Sequence, residues 1–593
     1  MEKGHCGETV FLPGGKPGER FETNIEGWLL RAEQDNPALF SYFAAREEGR
    51  RPLVAWYGEF PGKFLTAVAE CYGMTGDRRL LPVGERIAGM LEKVQGADGY
   101  LGPYRQDQRM VGYTLDHPNE WPVWDIWGQY HCIYGLCLWY EAVGDRHALE
   151  TAKRTADCII GYFAQPGRRY IDAGAPDQNL AIAHGYLKLY AITGDEKYRE
   201  EANRIIDTEW KDESVGDWRG AALSGLEFYQ MHKPRWESLH SILALGERSR
   251  LSGNAEDRLA FTRIWESIRK TDRHNDGGFS SGEGACGNPY DPRAVETCCT
   301  VLWMVYTTEY LRLTHDCRAA DELELSLWNA YAGSILNHGR DFTYDTPMDG
   351  RRMPSAFTLA WQTPAGATNL NCCQMNGTRG FGQWGRWALF SNGEGLFCNY
   401  YGECAAETIL PNGVRVKVRQ ITRYPLEGRV EIQLSLSQPD RFALFLRNPS
   451  WSVTTKVQVN GAEIPASAPG SYTRIERMWQ DGDRIQLELD LTPHLWEGQQ
   501  ECAGKVSVYC GPILLTADSV MSGDPWIADR TFSQESLRTL HLYESGEVPA
   551  WYCADALLED GTSVRLVDFA SAGDRGQEYA SWLRVSESGD SKK

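Results

Sequence analysis

Apolar residues recur every three or four positions along the first two thirds of the chain, from about residue 25 to residue 390. This spacing is typical of helices that bury one face, because an α-helix makes one turn in 3.6 residues. Similar stretches lie at 80–91 and 198–210. The clearest stripe consists of Leu149, Ala152, Ala156, Ile159, Ile160 and Phe163. The pattern predicts a long series of amphipathic helices.

A turn that contains Gly followed by Asp recurs between these stretches. It reads MTGDRRL at 74–80, VGDRHAL at 143–149 and ITGDEKY at 192–198, with weaker copies at 251–259 and 313–323. Gly is the preferred residue just past a helix end, and Asp is a preferred N-cap of the next helix. One helical hairpin fits each interval, which is typical of a solenoid or a closed α/α toroid. Loops rich in Gly, Pro and aromatic residues favour the toroid, with functional loops at one mouth.

After about residue 400 the apolar period changes to two, which predicts β-strands. The alternating runs lie at 414–418, 430–436, 442–446, 457–459, 485–491 and 506–508, with turn signals at 412–414, 460–462 and 481–483. We expect an (α/α)6 toroid followed by β-sandwich domains. The expected limits are 25–395 for the toroid, 396–500 for the sandwich and 501–593 for a second sandwich portion with closing strands in 563–586 and a disordered tail. Residues 1–24 form an N-terminal segment that could pair with the sandwich, and 517–560 is expected to be irregular.

Composition narrows the classes of partner. The chain has 593 residues, of which 42% are hydrophobic and 24% charged, so it can form folded cores. A net charge of -20 argues against nucleic acid as a partner. An apolar run of about 18 residues is absent, which argues against a membrane span. The N-terminal sequence lacks a signal peptide, so we expect a cytoplasmic protein whose 16 cysteines are buried, metal-bound or catalytic.

Cysteines and carboxylates flank one helical stretch. Upstream lies GGFSSGEGACGNPYDPRAVETCCT at 277–300, and downstream lies NLNCCQMNGTRG at 369–380. Glu296, Cys298, Cys372 and Cys373 together offer one carboxylate and three thiols, a plausible four-coordinate zinc set. The spacing differs from that of zinc fingers and ribbons. General motif rules therefore favour the alternative of buried, unreactive thiols.

Four other residues could belong to an active site at the mouth of the toroid. Glu283 lies in a loop rich in Gly and Ser, His131 lies in WDIWGQYHC, His240 in KPRWESLHS and Tyr344 in DFTYDTP. Taken singly, each has an ordinary explanation: a solvated carboxylate, two hydrogen-bonded structural histidines and a packing tyrosine. Twenty-one tryptophans suit stacking on sugars, although core packing accounts for most tryptophans in most proteins.

The order of these features resembles glycoside hydrolase family 127, whose reference activity is that of a retaining β-L-arabinofuranosidase. The resemblance spans nearly the whole chain. It rests on QGADGYLGPY at 95–104, Glu-Thr-Cys at 296–298, Cys-Cys-Gln-Met-Asn at 372–376, FLRNPSW at 445–451 and VYCGPILL at 508–515. It implies that Glu296, Cys298, Cys372 and Cys373 bind zinc.

The same resemblance assigns the catalytic roles. It makes Cys372 the nucleophile and Glu283 the general acid/base. It implies that His131, His240 and Tyr344 bind the sugar. Zinc coordination favours the thiolate form of cysteine, which is the nucleophilic form. The resemblance thus implies an exo-acting, retaining glycosidase for a small oligosaccharide or glycoside, with a possible homodimer formed through the β-sandwich.

The sequence departs from the family pattern at two places. Gln178-Asn179-Leu180-Ala181 stands where the family has Gly-His-x-Glu, so Asn179 occupies the apparent place of a sugar-binding histidine. Gln-Met-Asn follows the Cys-Cys pair instead of a Pro-Pro-Asn type of segment. We therefore expect the catalytic machinery to be kept and the sugar pocket to differ. A related pentofuranoside, or another small sugar at a chain terminus, stays open as the substrate.

Two other classes of function stay open at this stage. One is an α/α-toroid sugar epimerase or polysaccharide lyase, in which His131 and His240 would exchange protons and zinc would be structural or absent. The other is a non-catalytic carbohydrate-binding or scaffold protein with a structural zinc. Fold alone does not choose between these classes, since toroids serve all of them.

Overall fold

The computed structural model describes residues 9–48, 52–112, 123–363 and 369–586. The helical and strand-rich parts follow one another along the chain, as predicted. The tail expected to be disordered lies, after residue 586, outside the described residues. None of the described helices is long and apolar enough to cross a bilayer.

A closed ring of helices forms the inner wall of the first part. Each inner segment packs against the next, and the last packs against Phe60–Thr75, which closes the toroid. Inner helices such as Thr297–Thr314 are buried on nearly every side, because outer helices cover one face and the opposite inner helices cover the other. The inner segments are Phe60–Thr75, Asp125–Val143, Ile182–Thr193, Trp236–Ser252, Thr297–Thr314, and the broken helix Cys372–Gly377, Arg379–Gly382, Trp384–Ala388.

The outer helices each bury a single stripe, as the sequence pattern predicts. They are Leu81–Val94, Arg146–Phe163, Glu196–Asp207, Ala255–Thr271 and Cys317–Ser326. Gly15–Asn24 and the π-helix Ile25–Leu29 complete this layer, because Phe21 packs on Phe381 and Trp28 on Phe64. The (α/α)6 toroid is thereby confirmed.

The repeated turn joins each inner helix to its outer partner. Gly76, Gly144, Gly194 and Gly253 take left-handed φ angles of 68°, 77°, 70° and 74° at the ends of the inner helices. In the fifth copy His315 takes this place with φ 56°. The following Asp or Asn accepts hydrogen bonds from backbone N–H groups in the first turn of the outer helix. The turn chemistry predicted from the sequence therefore sets the hairpins.

Shorter helices lie between these elements and in the C-terminal part. They are Ala32–Asp35, Ser41–Ala44, Pro176–Asn179, Trp218–Ser224, Ser355–Thr358 and Gln534–Leu537, with 3-10 turns at Pro37–Phe40, Arg46–Glu48, Tyr57–Glu59, Arg78–Leu80, Gln106–Gln108, Tyr170–Asp172, Glu209–Lys211, Phe228–Gln230, Ala360–Gln362, Gln500–Cys502 and Ile527–Asp529, and a π-helix at Leu327–Tyr331. Two of these turns, Tyr57–Glu59 and Ala360–Gln362, carry residues of the cavity described below.

Two sheets follow the toroid and form a sandwich. In the first, Val416 and Val418 are buried whereas Arg415 and Lys417 are exposed, so one face packs inward. Its strands, in spatial order, are Val10–Pro13, Cys404–Ile409, Arg415–Thr422, Arg429–Leu436, Arg484–Glu488, Lys456–Val459 and Ala462–Ile464. The second sheet contains Ser471–Trp479, Asp440–Asn448, Gly395–Cys398 and Leu389–Asn392. The N-terminal strand Val10–Pro13 pairs antiparallel with Cys404–Ile409.

A third sheet occupies the C-terminal part. Its strands are His494–Glu497, Lys505–Cys510, Ile513–Asp518, Thr531–Phe532, Cys553–Leu557, Ser563–Asp568, Tyr579–Ala580 and Leu583–Val585, with Asp349–Gly350 added from the toroid side. Cys553–Leu557 lies inside the stretch expected to be irregular, and it pairs antiparallel with Ser563–Asp568. Pairing across a sheet makes a strand where the local pattern is weak. Asp349–Gly350 lies within the range expected for the toroid, yet it pairs with Tyr579–Ala580 of this sheet. The expected domain limits stay a prediction. A short pair, Val295–Glu296 with Asp345–Thr346, stands apart.

The strand-rich part supports the toroid through buried polar contacts. Arg447 is fully buried and pairs with Asp321 at 2.7 Å and Glu324 at 2.7 Å. The hydroxyl of Tyr509 donates to the backbone oxygen of Asn275 at 2.7 Å. Asn275 begins the loop segment that leads to the cysteine and carboxylate set. The C-terminal sheets therefore hold this loop against the toroid.

Candidate active site

Two helix N-termini bring the cysteines together. Glu296 ends the short strand Val295–Glu296 and is the N-cap of Thr297–Thr314, whose first turn carries Cys298. Cys372 and Cys373 open Cys372–Gly377, where the side chain of Asn371 accepts the backbone N–H of Gln374 at 3.0 Å. The two helices are neighbours in the inner ring. The packing of these two helices thus joins groups that are 75 residues apart in the chain.

The four side chains fit a tetrahedral metal ion. Their ligand atoms all lie within 4.8 Å of one another. The sulfur of Cys373 lies 3.6 Å from that of Cys298 and 3.8 Å from that of Cys372. It also lies 3.7 Å from Oε1 of Glu296. Tetrahedral zinc with bonds of about 2.3 Å to sulfur would separate two sulfurs by about 3.8 Å. A disulfide requires about 2.05 Å, so these thiols are spaced for a metal and not for a disulfide bond.

Burial and mutual hydrogen bonding set the charges of this cluster. Burial raises the pKa of Glu296, Cys298 and Cys373 well above the usual values. The pKa of Cys372 is lowered well below its usual value, because Cys298 and Cys373 donate hydrogen bonds to its thiolate. Cys372 is therefore the cysteine of this cluster that most readily carries the negative charge.

The cluster opens into a cavity of about 340 Å³. Cys372 and Glu296 reach it from the metal-binding side, and Glu283 and Tyr344 also line it. The full lining is Trp56, Glu59, Trp124, Arg235, Trp236, Glu237, Glu283, Glu296, Tyr344, Trp361, Gln362 and Cys372. A thiol nucleophile and a loop carboxylate thus share one cavity with four tryptophans.

Two donors orient the carboxylate of Glu283. The hydroxyl of Tyr344 donates to Oε1, and Nη2 of Arg235 lies 2.7 Å from Oε2. Arg235 also pairs with Glu237 at 2.8 Å. Asp272 fixes the far end of the loop by accepting the backbone N–H groups of Cys286 and Gly287 at 2.6 and 2.7 Å. The loop therefore presents Glu283 in a defined position, as a general acid/base requires.

The two predicted histidines lie side by side, and neither is part of the cavity lining. His131 and His240 are buried, and their ring centroids are 5.1 Å apart. Burial lowers the pKa of both well below the usual value, so both rings are neutral at pH 7. The hydroxyl of Tyr130 holds Nδ1 of His240 at 2.9 Å. Within the described residues, Nε2 of each ring has no hydrogen-bond partner, so each can bond a ligand.

The structure does not bring Asn179 to the cavity lining. Its Oδ1 accepts the backbone N–H of Trp127 at 3.0 Å. Its Nδ2 donates to the backbone oxygens of Val123 at 3.3 Å and Ala173 at 3.1 Å. These three bonds use its amide to fix the start of Asp125–Val143. His184, one helix further along, instead contacts Tyr130 with Nδ1 at 3.0 Å from the hydroxyl. Its position in the helical stretch 182–193 gave no functional signal.

Sequence reasoning missed the charged pair Glu59 and Lys63. Oε1 of Glu59 lies 2.6 Å from Nζ of Lys63, and each side chain is only 1% exposed. Nζ of Lys63 also lies 4.5 Å above the ring of Trp236. Burial raises the pKa of Glu59 to about 7. An acid and a base four residues apart in an otherwise apolar run were the available signal, because such groups are rarely buried without a function or a partner. Arg235 and Glu237 were also missed.

Comparison with known proteins decides the family. The description "Beta-L-arabinofuranosidase, GH127 catalytic domain" matches residues 22–386, and "GH127 middle domain" matches residues 395–491. The chain belongs to glycoside hydrolase family 127. The resemblance predicted from the sequence is confirmed. This family 127 protein is a glycoside hydrolase, which disfavours the epimerase, lyase and scaffold alternatives.

Similar proteins extend this assignment along the chain. A "Non-reducing end beta-L-arabinofuranosidase" from Bifidobacterium longum subsp. longum is 25% identical over 513 residues, covering 78% of this chain and 76% of its own. A family 127 β-L-arabinofuranosidase from Geobacillus stearothermophilus T6 has a similar structure, with a TM-score of 0.77 at 20% identity. That match covers 97% of this chain and 99% of the other. The structural similarity supports the fold, a toroid followed by strand-rich domains.

Proposed function

We propose that this family 127 hydrolase is a retaining, exo-acting β-L-arabinofuranosidase or a closely related pentofuranosidase. One observation carries the proposal. The cluster of Glu296, Cys298, Cys372 and Cys373 opens into the same cavity as Glu283. The activity in the name of the similar Bifidobacterium enzyme supports the choice of sugar. The Asn179 departure is the reason to keep related pentofuranosides in the proposal.

The four clustered residues would hold zinc, and bound zinc would stabilise cysteine thiolates that burial alone disfavours. The fold itself shields part of the cluster from water and leaves one thiol accessible to a substrate. Cys298 and Cys373 are fully buried and do not line the cavity, so water does not reach them. Cys372, which is 8% exposed, is the thiol that lines the cavity and can meet a substrate.

We assign the two chemical steps to Cys372 and Glu283. In the first, the sulfur of Cys372 forms a bond to the anomeric carbon as the glycosidic C–O bond breaks, and Glu283 gives its proton to the leaving oxygen. In the second, the oxygen of a water molecule bonds to the anomeric carbon as the S–C bond breaks, with the electron pair of that bond returning to Cys372. Glu283 takes the proton of the water. Two inversions give overall retention.

The other predicted residues would hold the sugar and the acid. Tyr344 would keep Oε1 of Glu283 in place through its hydroxyl. The unpartnered Nε2 atoms of His131 and His240 would bond sugar hydroxyls, since neutral imidazoles can donate or accept there. Asn179 would act indirectly, because it fixes the backbone of Trp127, whose ring contacts both histidines.

The experiment compares wild type and Cys372→Ser on an aryl β-L-arabinofuranoside. We expect loss of at least about 1000-fold in kcat for the serine variant, because an alcohol in this place is a far weaker nucleophile. Cys398→Ser is the matched control, a buried thiol in strand Gly395–Cys398 outside the cluster. Metal content of each protein and the anomeric configuration of the first-formed product complete the test.

Each outcome tests a separate part of the proposal: the nucleophile, the stereochemistry, the substrate or the metal. Activity in Cys372→Ser equal to that of wild type, with its circular dichroism unchanged, would remove Cys372 as nucleophile. An inverted first product would contradict the two-step scheme. A wild type inactive on this sugar but active on another pentofuranoside would correct the substrate and leave the mechanism standing. Purified protein without zinc or any other metal would contradict the metal assignment.

We also propose a cytoplasmic location, with short saccharides as substrates, and a homodimer through the sandwich. The seven-stranded sheet supports the dimer, because Ile409 and Ile421 are 43% and 44% exposed on it. Light scattering that gives a monomer mass would remove the dimer. Cell fractionation of the source organism tests the location.

A further inference from the structure

Trp361 is a large aromatic residue exposed at the catalytic cavity. It lies on the 3-10 turn Ala360–Gln362 and is 52% exposed, yet it lines the same cavity as Cys372 and Glu283. Most tryptophans of this chain are buried, so an indole that shows half its surface at a catalytic cavity is unusual. Exposed aromatic surface beside a polar cavity is typical of a binding surface.

Neighbouring rings hold Trp361 in position. Its ring lies edge-on to that of Trp56, at 5.9 Å between centroids and 90° between planes. Trp56 is 8% exposed, donates from Nε1 to Oε1 of Gln362 at 3.3 Å, and contacts Trp124 at 5.2 Å. Gln362 is the residue next to Trp361, so this bond fixes the turn. Trp361 with its supports Trp56 and Trp124 forms an aromatic platform that is already ordered. A ligand that stacks on this platform therefore costs the protein little conformational entropy.

The exposure of the cavity residues indicates which part of the substrate would contact this platform. Cys372 is 8% exposed, and Glu296 and Glu237, which line the same cavity, are 2% and 1% exposed. Trp361 is the most exposed of these residues and therefore lies at the mouth. In an exo-acting enzyme the terminal sugar occupies the deep end, and the group beyond the scissile oxygen extends toward the mouth.

We propose that Trp361, supported by Trp56 and Trp124, forms a leaving-group subsite that binds the flat face of a ring. This inference rests on the proposed hydrolase function and deepens it. The ring can be a sugar, whose C–H groups pack on the indole face, or an aromatic aglycone, which stacks on it. A cavity of about 340 Å³ is in the size range that encloses a ligand larger than one sugar. The enzyme would therefore discriminate against alkyl glycosides.

The test compares Trp361→Ala and Trp361→Phe with wild type on three β-L-arabinofuranosides that differ only in the leaving group. The leaving groups are methyl, 4-nitrophenyl and a second arabinofuranose. For Trp361→Ala we expect kcat/KM to fall by about tenfold or more on the two ring-bearing substrates and by less than about threefold on the methyl glycoside. Trp361→Phe should recover most of the loss. Phe357→Ala is the matched control, since Phe357 is 72% exposed on the preceding helix and does not line the cavity.

The pattern of losses decides the proposal. A loss on the disaccharide alone, or on the aryl glycoside alone, would support the subsite and identify its natural ring. An equal loss on all three substrates would overturn it, because Trp361 would then act on the terminal sugar or on the fold. No loss on any ring-bearing substrate would also overturn it.

A binding measurement separates this proposal from the proposed function. If wild type hydrolyses none of the three compounds, the proposed sugar fails, and quenching of tryptophan fluorescence by 4-nitrophenyl β-L-arabinofuranoside then tests the platform alone. Saturable quenching that is lost in Trp361→Ala and kept in Trp526→Ala, a 70% exposed tryptophan outside the cavity lining, would support it. Quenching unchanged in Trp361→Ala, or absent in wild type, would overturn it.

Discussion

Replacement of Lys63 by Met tests the buried charge beside the active site. The variant keeps most of the volume of the lysine stem but leaves the carboxylate of Glu59 without its partner at 2.6 Å. At an effective dielectric constant of about 20, the gross attraction at that distance is about 6 kcal/mol. Removing one member of a buried pair costs about 3–5 kcal/mol net, because the remaining charge stays desolvated. We expect that loss of stability at pH 8.

The assay is thermal unfolding followed by near-UV circular dichroism. For a folding unit the size of this toroid, a loss of 1 kcal/mol lowers the melting temperature by about 1.3 °C, so Lys63→Met should melt about 4–7 °C lower. The pKa of Glu59 is already raised to about 7 by burial. Its folded form therefore binds a proton more readily than its unfolded form, and the penalty in Lys63→Met should shrink as the pH falls from 8 to 5.5.

The double variant Lys63→Met/Glu59→Gln tests whether the loss of stability in Lys63→Met comes from the unpaired charge of Glu59. It removes both charges and keeps an acceptor for Nε1 of Trp127, which donates to Oε2 of Glu59. We expect it to melt closer to wild type than Lys63→Met does, with a coupling energy of about 3 kcal/mol. Additive losses in the two single variants, or a penalty that grows toward pH 5.5, would refute the argument.

Three further predictions concern other parts of the molecule. Tyr344→Phe removes the hydroxyl that donates to Glu283 and should lower kcat by about 10- to 100-fold in steady-state kinetics with little change in melting temperature. Arg447→Met removes the ion-pair partner of Asp321 and Glu324, so the free energy of unfolding should fall by about 3–5 kcal/mol, measured by thermal unfolding. Burial raises the pKa of Asp125 from 3.8 to about 6, so its ionisation opposes folding increasingly as pH rises through that range. Asp125→Asn should therefore gain stability relative to wild type by up to about 3 kcal/mol between pH 4 and pH 8 in thermal melts.

Local sequence determined much of this protein, because its signals act over a few residues. The three-and-four spacing predicted the helices, and the Gly-Asp turns predicted where each hairpin reverses, since a left-handed residue and an N-cap are local requirements. Alternation predicted the strands from Arg415 onward. The Glu-Thr-Cys and Cys-Cys segments predicted a metal set through the family resemblance, because their residue types and spacing alone favoured buried, unreactive thiols. Cys553–Leu557 was not predicted, since its local pattern is weak and its strand forms by pairing with the next strand, Ser563–Asp568.

Only the tertiary structure decided which of these residues meet. Packing between neighbouring inner helices placed Cys298 3.6 Å from Cys373, and no local pattern encodes that distance. Tertiary packing also buried the pair of Lys63 and Glu59, and it turned Asn179 toward backbone groups and away from the cavity. Trp361 is one of 21 tryptophans with nothing local to distinguish it. Its exposure depends on how the turn that carries it packs against Trp56. Side-chain environment is a property of contacts between distant segments, and for that reason the site required the fold.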